Sequence, residues 1–353
     1  MNPQILIYGA TGYTGKLTAE YARQQGMQPV LAGRSEAKVR EVAEPLGFSW
    51  RVASLDDADS LDRALEGMQV VLHIAGPFSA TSAPMVAACL RCGVHYLDIT
   101  GEIDVFETLA NRSDEARERG VMIMPGVGFD VVPTDCAAAW LKEQLPDATH
   151  LRLYIQGLEN PSRGTAKTGW EMLGGLARLR RDGEIISLGA PHSRPMDFGQ
   201  GAVECTTASW SDVSAAYYTT GIRNIEVLFK VIPGMKLGYF VSRYFGWFIR
   251  TGFIQSLVKL VLDKGNDGPD EAYRRTNKCV IVGEVVNQQG ERRATRISTC
   301  NGYNFTALAA LRIAEKVCRG SARPGFHTPG GLFGPDLVLE IPESVRTNLS
   351  QEA

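Results

Sequence analysis

Long uncharged apolar runs are missing from this chain: no segment approaches the roughly 20 residues that a membrane-spanning helix needs. A charge excess is missing too. The sequence has 37 Lys and Arg against 39 Asp and Glu, a formal net charge of −2, so nothing calls for nucleic acid as a partner. The five histidines are dispersed without ligand spacing, and no metal site is expected. The cysteines number seven, an odd count scattered along the chain, which fits a reducing cytosol better than a disulfide framework. Cys89 and Cys92 form a C-x-x-C inside an apolar helical pattern with no second pair nearby, so buried thiols are expected there. Low-complexity linkers and internal repeats are absent, and the first strand begins too soon after Met1 for a signal peptide. A cytoplasmic location follows as an expectation. What is present is ordinary for a globular protein: 44% hydrophobic and 22% charged residues. At 353 residues there is room for two domains, each with its own core.

The most informative segment is Ile5-Leu6-Ile7-Tyr8 followed by Gly9-Ala10-Thr11-Gly12-Tyr13-Thr14-Gly15. A β-branched apolar run breaks into G-x-x-G-x-x-G and then into a helical pattern from 14 to about 25, the entry to a nucleotide-binding βαβ unit. Gly9 permits the sharp turn, Gly12 lets backbone amides approach a pyrophosphate, and Gly15 lets the helix pack close to the sheet. The positive helix end then faces the phosphates. Residues 28–32 read as the second strand, ending at Gly33-Arg34-Ser35. An acid at that place suits the ribose hydroxyls of NAD, whereas an arginine suits a 2′-phosphate. Arg34 and Ser35 therefore point to NADP(H), with a solvated surface arginine as the alternative.

Strands at 49–53, 70–74, 96–99 and 121–124 alternate with helices at 58–66, 83–92 and 105–119. This α/β alternation predicts a Rossmann-type, doubly wound parallel sheet. Another helix is opened by Pro133, with Asp135 in its first turn. From His150 the pattern changes to strands at 151–155, 204–209, 225–231, 278–286 and 293–299 without regular helices between them. That predicts a second, mostly antiparallel α+β domain. Helical periodicity resumes over 304–318, and 325–341 is rich in Gly and Pro.

Cofactor and substrate meet at the ends of parallel strands. Ala75-Gly76-Pro77-Phe78 follows the fourth strand, where small residues let a dinucleotide lie close to the backbone. His95, Tyr96, Asp98, Glu102 and Asp130 cluster at later strand ends and could each supply or position a proton. Tyr96 and Asp98 share a face opposite His95, pointing together into a crevice or into packing. Asp130 reads somewhat better as a helix N-terminal cap.

The segments GATGYTG, LAGRS, IAGPF, GVHYLDITGE and GFDVVPTD, in this order and spacing, resemble the saccharopine dehydrogenase-like oxidoreductase family, which includes trans-acting enoyl reductases. Asn301-Gly302-Tyr303 and Pro324-Gly325-Phe326-His327 continue the likeness, and the middle matches only around Ser162-Arg163-Gly164-Thr165. The resemblance implies an NADP-linked reductase whose substrate domain is inserted into the dinucleotide domain: residues 1–148, an insertion over 149–303, and a return over 304–353. It implies Gly9 to Gly15, Arg34, Ser35, Ala75 to Phe78 and Glu102 as cofactor-binding residues. Tyr96, Asp130 and Thr165 become the catalytic candidates, Thr165 as a donor to an acyl carbonyl. A homodimer is expected.

For the substrate, a carrier-bound acyl chain would need an apolar pocket. A keto acid and an amino acid would need convergent cations such as Arg163, Arg178 and Arg223. Between Glu226 and Asp263 there is no acid, and Lys236, Arg243 and Arg250 recur every seven residues beside a broad aromatic face. Such spacing keeps them on one helix face to within about 20° per step. Residues 233–262 thus read as core, as a dimer or acyl-covering surface, or as a peripheral membrane contact. The non-core readings fit a lipid-like substrate better than a dicarboxylic amino acid.

Overall fold

The computed structural model describes residues 4–158, 160–162, 177–231 and 268–349. The chain divides into two compact units, Met1–Val132 with Tyr303–Phe333, and Pro133–Gly302 with Gly334–Ala353. These boundaries differ from the expected ones. The helix Val132–Gln144 belongs almost wholly to the second unit, and only part of the returning C-terminal chain joins the first.

The first unit carries β1 (Ile5–Tyr8), β2 (Val30–Gly33), β3 (Trp50–Val52), β4 (Val70–His73), β5 (His95–Asp98) and β6 (Met122–Met124). The short strand Gly325–Phe326 adds to β6, giving a seven-stranded parallel sheet in the order Gly325–Phe326, β6, β5, β4, β1, β2, β3. Its helices are α1 (Tyr13–Gln24), α2 (Glu36–Leu46), α3 (Ala58–Leu65), α4 (Phe78–Cys92), α5 (Ile103–Ala110) and α6 (Ser113–Glu118). Helix α1 packs on α2, while α3 packs on α4 and α4 on α5. Right-handed crossovers place these two sets on opposite faces. Both sheet faces are therefore covered, and β1 and β4 are buried at every residue. The strand order reverses between β1 and β4, so the crevice at their carboxyl ends is where a ligand binds in such a sheet.

Two helices depart from expectation. The predicted helix over 105–119 is broken at Asn111–Arg112 into α5 and α6. Helix α4 begins at Phe78 rather than Ala83 and carries Pro84 inside it. A proline normally marks a helix start. Here the turn ahead of it is held by a carboxylate from elsewhere and by a hydroxyl within it, described below.

The second unit carries β7 (His150–Gln156), β8 (Arg178–Arg181), β9 (Glu184–Ser187), β10 (Ser193–Asp197), β11 (Ala202–Thr207), β12 (Asn224–Lys230), β13 (Lys278–Val286) and β14 (Arg292–Cys300). The main path runs β10, β11, β12, β7, β13, β14 and then Val345–Leu349. The sheet is mixed: β7 and β12 pair in parallel and the remaining pairs are antiparallel. Besides α7 (Val132–Gln144), a helix α8 (Asp212–Thr220) lies between β11 and β12, contrary to the expectation of no regular helix there. Residues Asp212 to Ala216 are all buried, so α8 has no polar face to give it a visible period.

Candidate nucleotide-binding and reaction site

The three glycines after β1 are each required differently. Gly9 has φ +92°, and a Cβ on it would lie 2.8 Å from the Ala75 amide nitrogen. A Cβ on Gly15 would lie 2.8 Å from Ala10 Cα, so only glycine lets α1 sit this close to the turn. Gly12 is exposed, and its nearest neighbour would be the Gly9 carbonyl at 3.5 Å, which leaves that side open. The amides of Gly9 and Ala10 both donate to the Ala32 carbonyl, at 2.9 and 3.2 Å, pinning the turn to β2. Lys16 makes the first helical hydrogen bond of α1, to Gly12. Ahead of it, the helix end has no side-chain cap and no acid in its first turn. Such an end is complementary to an anion. Thr11 and Thr14 are half-buried beside it, while the Tyr13 ring stacks edge-on against Tyr303 at 5.1 Å.

At the end of β2, Arg34 is exposed, and its guanidinium has no hydrogen bond or ion pair among the described residues. Ser35 is the N-cap residue of α2, yet its hydroxyl makes no cap hydrogen bond. An arginine and a serine left uncommitted at the adenosine end of the crevice fit a 2′-phosphate.

The loop after β4 is built by its neighbours. The Glu102 side chain accepts no cap hydrogen bond from α5, of which it is the N-cap residue. Its two carboxylate oxygens instead accept from the Phe78 and Ser79 amides at 2.7 and 2.8 Å. Glu102 thus closes the start of α4, a positioning role rather than the expected direct hold on the cofactor. The Thr81 hydroxyl donates to the Ala75 carbonyl at 2.6 Å and lies 3.1 Å from His73 Nε2. These bonds account for the early start of α4. Gly76 is exposed, Ala75 and Pro77 are half-buried, and the Phe78 ring turns inward against His73 at 5.6 Å. Sequence reasoning passed over His73, the one polar side chain in an apolar strand. It is fully buried among Tyr8, Phe78 and Tyr96, and burial lowers it to about 3, which keeps it neutral.

Tyr96 and Asp98 do point the same way, into packing. Tyr96 is fully buried and donates its hydroxyl to Asp98 Oδ2 at 2.7 Å. The Thr100 and Gly126 amides donate to the other oxygen at 2.9 and 3.0 Å. Burial pushes the Asp98 carboxyl up to about 6 despite these three bonds, and drives Tyr96 well above its ordinary range. The expected proton donor is therefore a structural tyrosine. His95 faces away and accepts from the Met122 amide at 3.1 Å. Asp130, by contrast, is only partly buried, and its carboxyl is pushed up by burial to about 7. A Cβ on Gly101 would lie 2.9 Å from Asp130 Oδ2, so a glycine makes room for this carboxyl. Arg223, in the second unit, donates to the Asp182 carbonyl. Thr165, Arg163 and the 233–262 segment lie outside the described residues.

The profile of the saccharopine dehydrogenase NADP binding domain matches residues 5–124, which span the glycine loop, Arg34 and β1 to β6. A Mycobacterium tuberculosis protein assigned provisionally as a trans-acting enoyl reductase is 40% identical, over 96% of this chain and 95% of its own. A Caenorhabditis elegans protein described as lipid droplet localized is 32% identical, over 45% of this chain and 41% of its own. In fold the chain is similar to the Saccharomyces cerevisiae saccharopine dehydrogenase (L-Glu forming), with a TM-score of 0.66 and 13% identity over 99% of this chain and all of that one.

Proposed function

This chain belongs to the saccharopine dehydrogenase-like oxidoreductase family, and we propose that it is an NADPH-dependent reductase of a C=C bond in an acyl substrate, as in the enoyl reductase branch. The observation that carries the reading is the uncommitted Arg34–Ser35 pair beside an uncapped glycine-loop helix. When bound, the reduced nicotinamide supplies a hydride to an electron-poor carbon. Gly9, Gly12 and Gly15 shape the pyrophosphate cradle, and the α1 amides face the phosphates. Arg34 and Ser35 hold the 2′-phosphate. Ala75, Gly76 and Pro77 form the wall beside the nicotinamide ribose, kept in place by Glu102 and Thr81. The Asp130 carboxyl, protonated near neutral pH, holds the proton that completes reduction at the α-carbon. The 40% identity along nearly the whole of the provisionally assigned enoyl reductase supports a carrier-bound acyl group as substrate.

Fluorescence titration with NADPH and NADH tests the cofactor half. Loss of one charge-assisted phosphate contact corresponds to about tenfold in affinity. NADPH should therefore bind at least about tenfold tighter than NADH, and Arg34→Ala should erase the difference. Equal affinities in the unaltered protein would refute the assignment. Turnover of enoyl thioesters, compared with imino acids, then tests the substrate class. The nematode relative favours attachment to a lipid surface through 233–262 as a second reading. Flotation with anionic liposomes, lost when Lys236, Arg243 and Arg250 are neutralised, would support it.

A further inference from the structure

The second unit holds a cavity of about 160 Å³ at the amino ends of β7 and β12, lined chiefly by Arg152, Arg180, Arg181, His192, Arg194 and Glu226. Four arginines thus line one cavity with a single glutamate. Glu226 is buried, and its Oε1 is committed: the Thr207 hydroxyl donates to it at 2.6 Å and His192 Nδ1 lies at 2.7 Å. Its Oε2 is shared by Arg152 Nε and Arg194 Nε, each at 3.9 Å, beyond hydrogen-bond reach. Glu284, beside Arg152 in the β7–β13 register, is taken by Arg292. Arg181 is exposed. Among the described residues, the guanidinium groups of Arg152, Arg181 and Arg194 donate no hydrogen bond. Arg180 is a fixed charge in the wall, held by the Val213 and Gly183 carbonyls at 2.7 and 2.6 Å and lying over the Tyr217 ring at 4.1 Å.

Guanidinium groups gathered around a cavity with their donors unused are complementary to a tetrahedral oxyanion. Small-molecule pockets usually run from about 300 to 1,000 Å³, so this one suits a phosphoryl group and not a nucleotide. We propose that the cavity binds the phosphoryl group of a phosphate or phosphomonoester through Arg152, Arg181 and Arg194. The site lies wholly within the second unit and is independent of the NADPH assignment. An open groove that shares His150 and Arg152 and adds Thr149, Asn287 and Gln288 leads away from it, giving the organic part of a phosphomonoester a path outward.

Calorimetric titration of inorganic phosphate and of glycerol 3-phosphate into the full chain tests this, with Arg34→Ala as background to remove the expected 2′-phosphate contact. One phosphate site should persist in Arg34→Ala. It should weaken at least about tenfold when Arg181→Gln and Arg194→Gln are added, with NADPH affinity in the Arg34-intact protein unchanged. Arg181→Gln alone removes an exposed group without a partner, so its effect is readable even if the double variant folds poorly. Competition by phosphatidic acid vesicles would assign the phosphoryl group to a lipid headgroup. Competition by glycerol 3-phosphate alone would assign it to a soluble ester. Phosphate binding that vanishes with Arg34→Ala, or that ignores Arg181→Gln, would overturn the proposal.

Discussion

Asp98 and Asp130 are both raised by burial, to about 6 and about 7, but their surroundings differ. Asp98 is fully buried and accepts from Tyr96, Thr100 and Gly126, so its proton has no route to a substrate. Asp130 is partly open, against a glycine. If its carboxyl supplies the proton, kcat/KM for reduction should fall as pH rises through about 7, and Asp130→Asn should lose both the limb and most of the rate. An unchanged pH profile in that variant would remove Asp130 from the chemistry. The same shifts bear on stability. A carboxyl whose folded pKa lies above its unfolded value favours the folded state below the unfolded pKa, and that contribution is lost as pH rises through the folded pKa. From these two groups alone, Tm should decline between about pH 4 and pH 7, and Asp130→Asn should flatten the decline. The sequence showed that Tyr96 and Asp98 alternate with His95. It could not show whether their common face met a crevice or a core, because that depends on helices distant in the chain.

Helix α4 shows how an element can be set by residues outside it. Local pattern starts it at Ala83; the Glu102 carboxylate from outside the helix, helped by the Thr81 hydroxyl within its first turn, starts it at Phe78, five residues earlier. Removing a helix cap costs about 0.5–2 kcal/mol, and bonds to a charged acceptor lie toward the upper end. Glu102→Ala should lower unfolding free energy by about 2 kcal/mol in urea titration, and Glu102→Gln by less. If Glu102 instead held the cofactor directly, Glu102→Gln would weaken NADPH binding with stability unchanged. Elements with strong period were legible, and β13 was placed to the residue. Helix α8 was not, since its Asp, Ser and Thr residues read as a loop while tertiary packing buries them. The β8–β9 hairpin was legible but passed over. Its turn is Asp182-Gly183, both with positive φ, a strong local hairpin signal, masked by the charged residues of β8.

At the scale of the whole molecule, the dinucleotide unit is discontinuous, and its second piece is integral to it. Phe305, Leu311 and Ile313 in the helix Gly302–Lys316 are fully buried, and the Phe305 ring meets Phe129 edge-on at 5.9 Å. The Phe129 amide donates to the Thr306 hydroxyl at 3.0 Å, fixing the loop that carries Asp130. Farther on, Gly325 and His327 donate to the Val121 and Ile123 carbonyls at 2.9 and 3.0 Å, covering the β6 edge. Fully burying a large apolar side chain contributes about 1.5–3 kcal/mol, so losing three of them approaches the whole stability of a small domain. Residues 1–132 expressed alone should therefore melt without cooperativity, bind a hydrophobic dye and fail to bind NADPH, although they contain every predicted phosphate contact. Rejoining Tyr303–Phe333 through a short flexible linker should restore a cooperative melt and NADPH binding together. Full NADPH affinity in 1–132 alone would show that the returning chain only decorates a domain complete without it. Restored folding without binding would instead make the second unit necessary for the nucleotide site.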